Sequence, residues 1–263
     1  MSLPETFERV RSGLVHIIFV NERGDIVAKG TGFICSGLMI TNNHVFAGPR
    51  NSIVCLRKEG QSKAEAFCLP YADFAQRLKT GSQENCYDYA ILDIPEIVGA
   101  DDHQFSLENP RTRRIGEAIA LIGFPLEHMN LTCHAGIISS FYESGPASIV
   151  QVDASVNSGN SGGPLIDPNT GSVLGIVTRK GTGLSKLFQN LRDALKSNIK
   201  FIEEQTSGVG MFIGSYNPIE GAIVGQHQIL RLLDEIERQA NVGIGYAISA
   251  EHLLAEPIFQ EFK

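Results

Sequence analysis

The sequence is poor in the features that mark membrane proteins and nucleic-acid-binding proteins. It has no tryptophan, and none of its apolar runs approaches the roughly 20 residues that a membrane-spanning helix needs. Its 22 lysines and arginines are outnumbered by 29 aspartates and glutamates, which gives a net charge of −7. Because nucleic-acid-binding domains carry an excess of basic residues, we expect neither a membrane nor a nucleic acid as partner.

Cysteine is also scarce, and its distribution argues against a zinc site. The cysteines number five, and no two of them have the Cys-x-x-Cys spacing of zinc and redox motifs. We therefore predict no metal and no cofactor, and we expect free, buried thiols at Cys35, Cys55, Cys68, Cys86 and Cys133. The first nine residues are polar and contain no apolar signal core. Together these features predict a cytoplasmic protein.

What the sequence does contain is a series of short, regularly spaced strands. Apolar and β-branched runs alternate with glycine-containing turns, which is typical of a barrel or sandwich rather than of βαβ units. The predicted strands cover residues 14–20, 26–29, 32–35, 38–41, 52–56, 87–94, 118–123, 132–139, 148–152, 165–166 and 172–178. The pattern therefore predicts an all-β fold.

Two helices interrupt this pattern near the C-terminal end. Apolar residues recur at three- and four-residue steps from 184 to 202 and again from 229 to 236, which is the period of an amphipathic helix. A last strand follows at 242–248, and a polar, loop-like linker is predicted at 95–114. We therefore divide the chain into a first β half (1–95), a second β half (96–182 plus 241–263) and a helical insertion (183–240).

The segment Gly159-Asn160-Ser161-Gly162-Gly163 carries the clearest chemical signal. Glycine tolerates the backbone angles of a sharp turn, and such a turn can aim the N–H groups of Gly159 and Ser161 at one point. A serine becomes a nucleophile when a base removes its proton and oriented N–H groups stabilise the oxyanion. A glycine-rich hairpin without any chemistry is the alternative interpretation of the segment.

A base and an acid for this serine are available in the first β half. His44 stands where the apolar run 38–41 ends. Asp88 begins an alternating apolar run and can accept the far imidazole N–H, which fixes the tautomer and stabilises the imidazolium. Asp93 is a second candidate for the acid, but five positions along one strand place it on the opposite face from Asp88.

Together these segments resemble the trypsin-like serine peptidases, and most closely the HtrA (Deg-type) proteases. The order His44, Asp88, Ser161 is that of chymotrypsin-type enzymes. The similar segments are 7–17, 30–34, 41–45, 88–92, 121–125, 151–154, 157–165, 175–178 and 243–248. The resemblance implies a chymotrypsin-like double β-barrel, six strands to each barrel, with a two-helix insertion before the last strand. It also implies His44 as general base and then acid, Asp88 as its orienting acid, Ser161 as nucleophile, and an oxyanion hole at Gly159 and Ser161.

The sequence departs from that family at three places. Asn160 stands where many secreted relatives have an aspartate that pairs with a newly cut N-terminus, so we expect no such activation step. The chain ends soon after its last strand, so we expect no PDZ domain. Residues 184–240 replace the short loop expected there, and we predict that they gate or extend the substrate cleft or mediate self-association.

The resemblance also implies a substrate pocket. Its base is expected at Ser155, six residues before Ser161, and the other implied pocket residues are Val156, Thr178, Arg179 and Lys180. Trypsin-like enzymes that cut after lysine or arginine have an acidic residue at this base. The small, uncharged Ser155 therefore predicts cleavage after small or medium apolar residues.

The predicted function is that of a serine endopeptidase, which hydrolyses protein or peptide substrates through an acyl-enzyme. Two alternatives stay open. One is a pseudopeptidase that binds peptide strands by β-addition without cutting them, against which the presence of His44, Asp88 and Ser161 argues. The other is an interaction protein whose helical insertion (183–240) binds a regulator or a second copy of the chain.

Overall fold

A computed structural model describes residues 1–125, 130–157, 159–178, 183–206, 214, 217–240 and 243–260. The chain forms two compact units, one consisting of Met1–Arg179 with Val242–Lys263 and the other of Lys180–Asn241. All the strands of the described residues lie in the first unit, and both long helices lie in the second. The predicted all-β fold with a helical insertion before the last strand is therefore confirmed.

The first half of the strands forms one antiparallel, seven-stranded half-barrel. Its spatial order is β5-β4-β1-β2-β3-β7-β6. The strands are β1 (Leu14–Val20), β2 (Ile26–Cys35), β3 (Leu38–Thr41), β4 (Ile53–Arg57), β5 (Phe67–Pro70), β6 (Leu78–Ser82) and β7 (Tyr89–Leu92). The expectation of six strands is wrong here, because the segment Leu78–Ser82 pairs with β7 and adds a seventh strand.

β2 is one continuous strand and not the two strands predicted at 26–29 and 32–35. Gly30 and Gly32, which the sequence pattern marks as a break, stay in the ladder opposite Ile17 and Val15 of β1. A side chain at Gly30 would collide with Val45, so glycine serves close packing at this position rather than a turn.

The second half of the strands closes into a six-stranded antiparallel barrel. Its order is β10-β13-β12-β11-β8-β9. The strands are β8 (Ala118–Gly123), β9 (Thr132–Ser144), β10 (Ala147–Val152), β11 (Pro164–Ile166), β12 (Val173–Thr178) and β13 (Gly245–Ser249). β13 is placed between β10 and β12, so the chain returns to this barrel after the helical insertion.

Among the described residues, four buried apolar clusters hold these strands together, and three of them are large. One fills the half-barrel around Ile17, Phe19 and Phe74, and a second fills the closed barrel around Leu121 and Leu165. The third takes side chains from both halves, including Phe33, Ile40, Ile91, Ile122, Phe124 and Ile176. Because this third cluster is shared, the loops of the two β halves are held in fixed positions next to each other.

Among its described residues, the first unit also contains five short α-helices. They are α1 (Leu3–Val10), α2 (Asn43–Phe46), α3 (Tyr71–Gln76), α6 (Glu251–Leu254) and α7 (Pro257–Gln260). The segment that contains the last two contacts the chain on both sides of Asp88, since the Tyr87 ring stacks on His252 of α6 and the Tyr89 hydroxyl donates to Glu256, which lies between α6 and α7. The C-terminal segment thereby covers the turn that precedes β7.

The expectation that all five cysteines are free is wrong. Cys55 and Cys68 lie directly opposite each other on β4 and β5 and form a disulfide. Cys35, Cys86 and Cys133 are free. The sequence alone did not reveal the bond, because the strand that carries Cys68 was not predicted and the pairing of β4 with β5 was therefore not visible.

The second unit contains two long helices, α4 (Gly183–Thr206) and α5 (Pro218–Ala240). On α4, Leu195 and Ile199 are buried, and on α5 Leu233 is buried. Ile229, Leu232 and Ile236 of α5 recur at helical spacing and are exposed. Neither of these helices, nor any other helix among the described residues, has the length and hydropathy required to cross a membrane.

Candidate active site

His44 is held at the start of the one-turn helix α2, directly after β3. The Asn42 side chain before this helix donates from Nδ2 to the carbonyl oxygen of Asp88 at 2.9 Å. The backbone N–H of His44 donates to Oδ1 of Asp88 at 3.0 Å. These two bonds attach α2 to the turn before β7 and bring the histidine and the aspartate together, although they are 44 residues apart.

Asp88 makes a buried hydrogen-bonded pair with the His44 ring. The Asp88 side chain is 3% exposed, and its Oδ2 lies 2.8 Å from His44 Nδ1. An acceptor at Nδ1 favours the tautomer whose proton is on Nδ1, which leaves a lone pair on Nε2. Asp88 has a φ of +45°, an uncommon conformation that aspartate tolerates better than most residues.

A third donor completes the surroundings of Asp88. The Thr178 hydroxyl donates to Asp88 Oδ2 at 3.0 Å, and Thr178 is only 2% exposed. Thr178, which is predicted from the sequence as a pocket residue, therefore contacts the candidate acid Asp88. The other candidate acid, Asp93, forms an ion pair with Lys79 at 2.9 Å.

Ser161 lies in a loop whose course requires glycine at two positions. Gly159 has a φ of +97° and Gly162 has a φ of +86°. A Cβ at Gly159 would collide with the carbonyl oxygen of Phe124, and one at Gly162 would collide with that of Thr31. Both the left-handed conformation and the close backbone contacts therefore exclude larger residues.

Within this loop, two N–H groups are left available. The N–H of Gly162 donates to the carbonyl oxygen of Val177 at 2.9 Å, and the N–H of Asn160 is bonded inside the loop. In the part of the chain that the structure describes, the N–H groups of Gly159 and Ser161 donate to no protein acceptor. They are the two donors that the sequence analysis assigned to an oxyanion hole.

The loop that carries Ser161 and the helix α2 that carries His44 both pack against β2. Gly30 packs against the side chain of Val45, the neighbour of His44, and a Cβ at Gly30 would lie 3.2 Å from the carbonyl oxygen of Ser161. Among the hydrogen bonds of the described residues, none joins the Ser161 hydroxyl to the His44 ring. Such bonds are often long in the absence of substrate. The structure thus contains an Asp88–His44 pair with the serine loop packed nearby.

The remaining candidate pocket residues are only partly described. Ser155 Oγ accepts the N–H of Gly243 at 3.1 Å, so the hydroxyl is tied to the segment that leads into β13. Val156 is buried and packs where a side chain on Gly245 would otherwise lie. Arg179 and Lys180 lie outside the described residues.

One residue of this region carried no role in the sequence analysis. Thr31 of β2 contacts the serine loop through both its backbone and its side chain. Its partner Gly159 is 128 residues away in sequence, so no local sequence pattern predicts the contact. The segment 30–34 contributes to the resemblance to the family. The hydrogen bonds of its threonine to the serine loop are visible only in the fold.

Comparison with known proteins gives the family. The pattern of the trypsin-like peptidase domain matches residues 30–176, more than half of the chain. The matched region includes His44, Asp88 and Ser161. The chain therefore belongs to the trypsin-like peptidase domain family.

Within that family its relatives include proteases of the HtrA/Deg type, as the resemblance of the sequence indicated. The chain is 30% identical over 194 residues to Protease Do-like 5, chloroplastic, of Arabidopsis thaliana. It is 31% identical over 205 residues to Serine protease HTRA1B of Danio rerio. The alignments cover 69% and 68% of this chain but only 58% and 37% of those relatives. The chain thus spans less than two thirds of their length.

Solved structures give the same fold. A structure of the HtrA-type protease AlgW with a tripeptide superposes with a TM-score of 0.59 at 19% identity. The superposition covers 100% of this chain and 65% of that one. The chymotrypsin-like double-barrel organisation implied by the sequence is therefore confirmed, with seven strands in its first half.

Proposed function

We propose that this chain is a serine endopeptidase in which Ser161 is the nucleophile, His44 the general base and Asp88 the acid that orients it. The observation that carries the proposal is the buried Asp88 carboxylate, whose Oδ2 lies 2.8 Å from His44 Nδ1, in a chain of a peptidase family. A pair that only stabilised the fold would not need its histidine to be exposed. The His44 side chain is 26% exposed and lies beside the loop of Ser161.

The reaction would proceed in two acyl-transfer steps. His44 Nε2 takes the proton from the Ser161 hydroxyl while Oγ attacks the scissile carbonyl carbon. The oxyanion that forms accepts hydrogen bonds from the N–H groups of Gly159 and Ser161. His44 then gives the proton to the leaving amine, and water repeats the sequence on the acyl-enzyme. The proposal requires Ser161 to turn its hydroxyl toward Nε2 when substrate binds.

The substrate that we propose is a protein or peptide cut after a small or medium apolar residue. Ser155 and Val156 carry no charge, and Ser155 already shares its hydroxyl with Gly243. A basic side chain of the substrate would find no acidic partner on these two residues. A substrate library cut strictly after lysine or arginine would contradict this part of the proposal.

The helical insertion is the element that we propose for regulation or self-association. Ile229, Leu232 and Ile236 present exposed apolar side chains on one face of α5.

Cytoplasmic location also stays a prediction. The Cys55–Cys68 disulfide weighs against one of its premises, because disulfides persist mainly in oxidising compartments.

The test compares the wild type with Ser161→Ala and Asp88→Asn on unfolded casein and on peptides. Ser161→Ala should abolish hydrolysis and labelling by a fluorophosphonate. Asp88→Asn should lower kcat by roughly 10³- to 10⁴-fold, because the histidine loses the acceptor that sets its tautomer. Asp93→Asn is the matched control, since it removes an aspartate of the same segment that pairs with Lys79, and it should leave kcat within a factor of about two.

The same experiment decides between the proposal and its alternatives. A folded wild-type protein that neither hydrolyses peptides nor reacts with the fluorophosphonate would be a pseudopeptidase. Peptide binding without cleavage, measured by calorimetry on that protein, would support β-addition as its activity. Hydrolysis that survives in Ser161→Ala would assign the nucleophile elsewhere.

A further inference from the structure

Thr31 is a fully buried polar residue in the middle of β2. It belongs to the half-barrel, whereas the serine loop that it contacts connects β10 and β11 of the closed barrel. Its ladder partner on β1 is His16, so its side chain lies inside the molecule and not on a solvent-facing edge. Any hydrogen bonds that its hydroxyl makes are therefore shielded from water.

Thr31 bonds to two carbonyl groups of the serine loop. Its hydroxyl donates to the carbonyl oxygen of Gly159 at 2.7 Å, and its backbone N–H donates to that of Ser161 at 2.9 Å. The same hydroxyl accepts the N–H of Phe124 at 3.0 Å, which orients its proton toward Gly159. Both hydrogen-bonding functions of this one hydroxyl are thus used.

These two carbonyls belong to the two residues whose N–H groups are available for an oxyanion. The peptide between Gly159 and Asn160 is held at both ends, since its oxygen accepts from Thr31 and its N–H donates to Asn157 at 3.0 Å. A peptide fixed at both ends cannot rotate without breaking a buried hydrogen bond. The carbonyl group of Gly159 is therefore held in place.

We propose that Thr31 is a positioning residue that holds the oxyanion hole in its working geometry. The inference rests on the proposed function, because a hole is needed only if Ser161 reacts. Thr31 touches neither the scissile bond nor the nucleophilic oxygen, and it acts through Gly159. Oriented donors contribute most to the transition state, where the oxyanion is fully formed. Loss of the hydroxyl should therefore lower kcat and leave KM nearly unchanged.

Two substitutions at this position separate the hydroxyl from the shape of the side chain. Thr31→Val keeps the volume but removes the donor to Gly159 and the acceptor for Phe124. Thr31→Ser keeps the hydroxyl and removes a methyl group that lies near Gly163. Thr6→Val is the matched control, since Thr6 is equally buried and its hydroxyl has no hydrogen-bond partner among the described residues.

With a peptide substrate, Thr31→Val should lower kcat about 10- to 100-fold, with KM changed by less than about threefold. Thr31→Ser should recover kcat to within about threefold of the wild type, and Thr6→Val should match the wild type. Melting curves of all four proteins show whether each variant is folded. A folded Thr31→Val enzyme with wild-type kcat, or a Thr31→Ser enzyme as slow as Thr31→Val, would overturn the proposal.

A second measurement does not depend on activity. Amide hydrogen exchange of the segment 157–163 should be faster in Thr31→Val than in both the wild type and Thr6→Val, with exchange in β12 unchanged. If the wild type hydrolyses nothing and resists acylation, the proposed function fails, and the exchange data still decide whether Thr31 holds the loop. Equal exchange in all variants would overturn the positioning role even in an active enzyme.

Discussion

His16 is fully buried on β1, beside the residues that hold the serine loop. Its ring stacks on Phe124 with the two ring centroids 4.5 Å apart, and its ladder neighbours are Thr31 and Arg57. Burial, with smaller contributions from the charges of Arg57 and Lys29, lowers the pKa of His16 from 6.5 to about 3. The ring is therefore neutral in the folded protein at neutral pH, and it packs as an aromatic core residue.

This pKa shift predicts a specific loss of stability in acid. The unfolded chain binds a proton at His16 near pH 6.5, whereas the folded chain does so only near pH 3. The stabilisation is therefore complete above pH 6.5 and is lost as the pH falls toward 3. Between pH 8 and pH 5, His16 should lower the free energy of unfolding by about 2 kcal/mol, as measured by urea unfolding at each pH.

His16→Phe keeps an aromatic ring against Phe124 and cannot titrate. Its absolute stability can differ from that of the wild type because of packing, so the readout is the change between pH 8 and pH 5. That change should be smaller in the variant by about 2 kcal/mol. Burial also lowers the pKa values of His103 and His134, and these contribute equally to both proteins. Identical pH dependence in the two would show that His16 is accessible to protons in the fold.

At the residue scale, sequence reasoning works where chemistry restricts the neighbours of a side chain. Ser161 stands out because glycines surround it, and the structure shows that φ and close contacts require glycine at Gly159 and Gly162. His44 and Asp88 could be assigned because their segments resemble those of the peptidase family and because of their order along the chain. Thr31 and Thr178 could not be assigned in this way. Their roles are hydrogen bonds to partners that lie 90 or more positions away in the chain.

At the scale of elements, the short edge strands β5 and β6 are where prediction fails. β5 is a four-residue strand that ends in Pro70, and β6 alternates between exposed and half-buried residues. β5 has only the short apolar run Phe67-Cys68-Leu69 before its proline, and β6 has no apolar run, since an edge strand buries less and tolerates proline. Most central strands, by contrast, match their predicted bounds closely, but β2 was predicted as two strands and β9 was predicted to end at 139 instead of Ser144. β8 was predicted with its observed bounds.

The disulfide between β4 and β5 gives an element-scale prediction. Protein purified without reductant and then denatured should titrate as three thiols, and as five after reduction, since only Cys55 and Cys68 are bonded. Replacing both by alanine should lower the free energy of unfolding by about 2–3 kcal/mol, because the bond closes a short loop in the unfolded chain.

Cys133→Ala is the control for that double variant. Cys133 is free and only half buried, so its loss should change the free energy of unfolding by less than about 1 kcal/mol. Five reactive thiols in the unreduced protein would show that the two strands pair without a covalent link. Such a result would also restore the premise of free thiols on which the cytoplasmic prediction was based.

At the scale of the whole molecule, the chain combines a protease-like unit with a helical unit inserted between β12 and β13. The two strands on either side of the insertion pair directly, with Thr178 opposite Tyr246. Closure of the barrel therefore uses no residue of α4 or α5. The periodicity of the helices made them predictable, whereas no feature of their sequence says whether they bind substrate, a second copy or nothing.

Replacing residues 183–240 by a short glycine-serine linker tests this organisation. The shortened chain should melt within a few degrees of the full chain, because the buried apolar clusters of the described residues lie entirely outside the insertion. Acylation by a fluorophosphonate should proceed at a rate within about threefold of that of the full chain. Casein hydrolysis should fall about tenfold or more if the insertion extends the substrate cleft, since remote binding energy then contributes to kcat/KM.

Light scattering on the same two proteins distinguishes self-association from cleft extension. If α5 joins two copies through Ile229, Leu232 and Ile236, the full chain should be larger than a monomer and the shortened chain monomeric. A full chain in which only these three residues are changed to serine should then dissociate without losing the folded protease unit. If casein hydrolysis, acylation and mass all stay unchanged by the deletion, the helices take no part in catalysis or self-association, and the cleft extension and self-association predicted for them are both wrong.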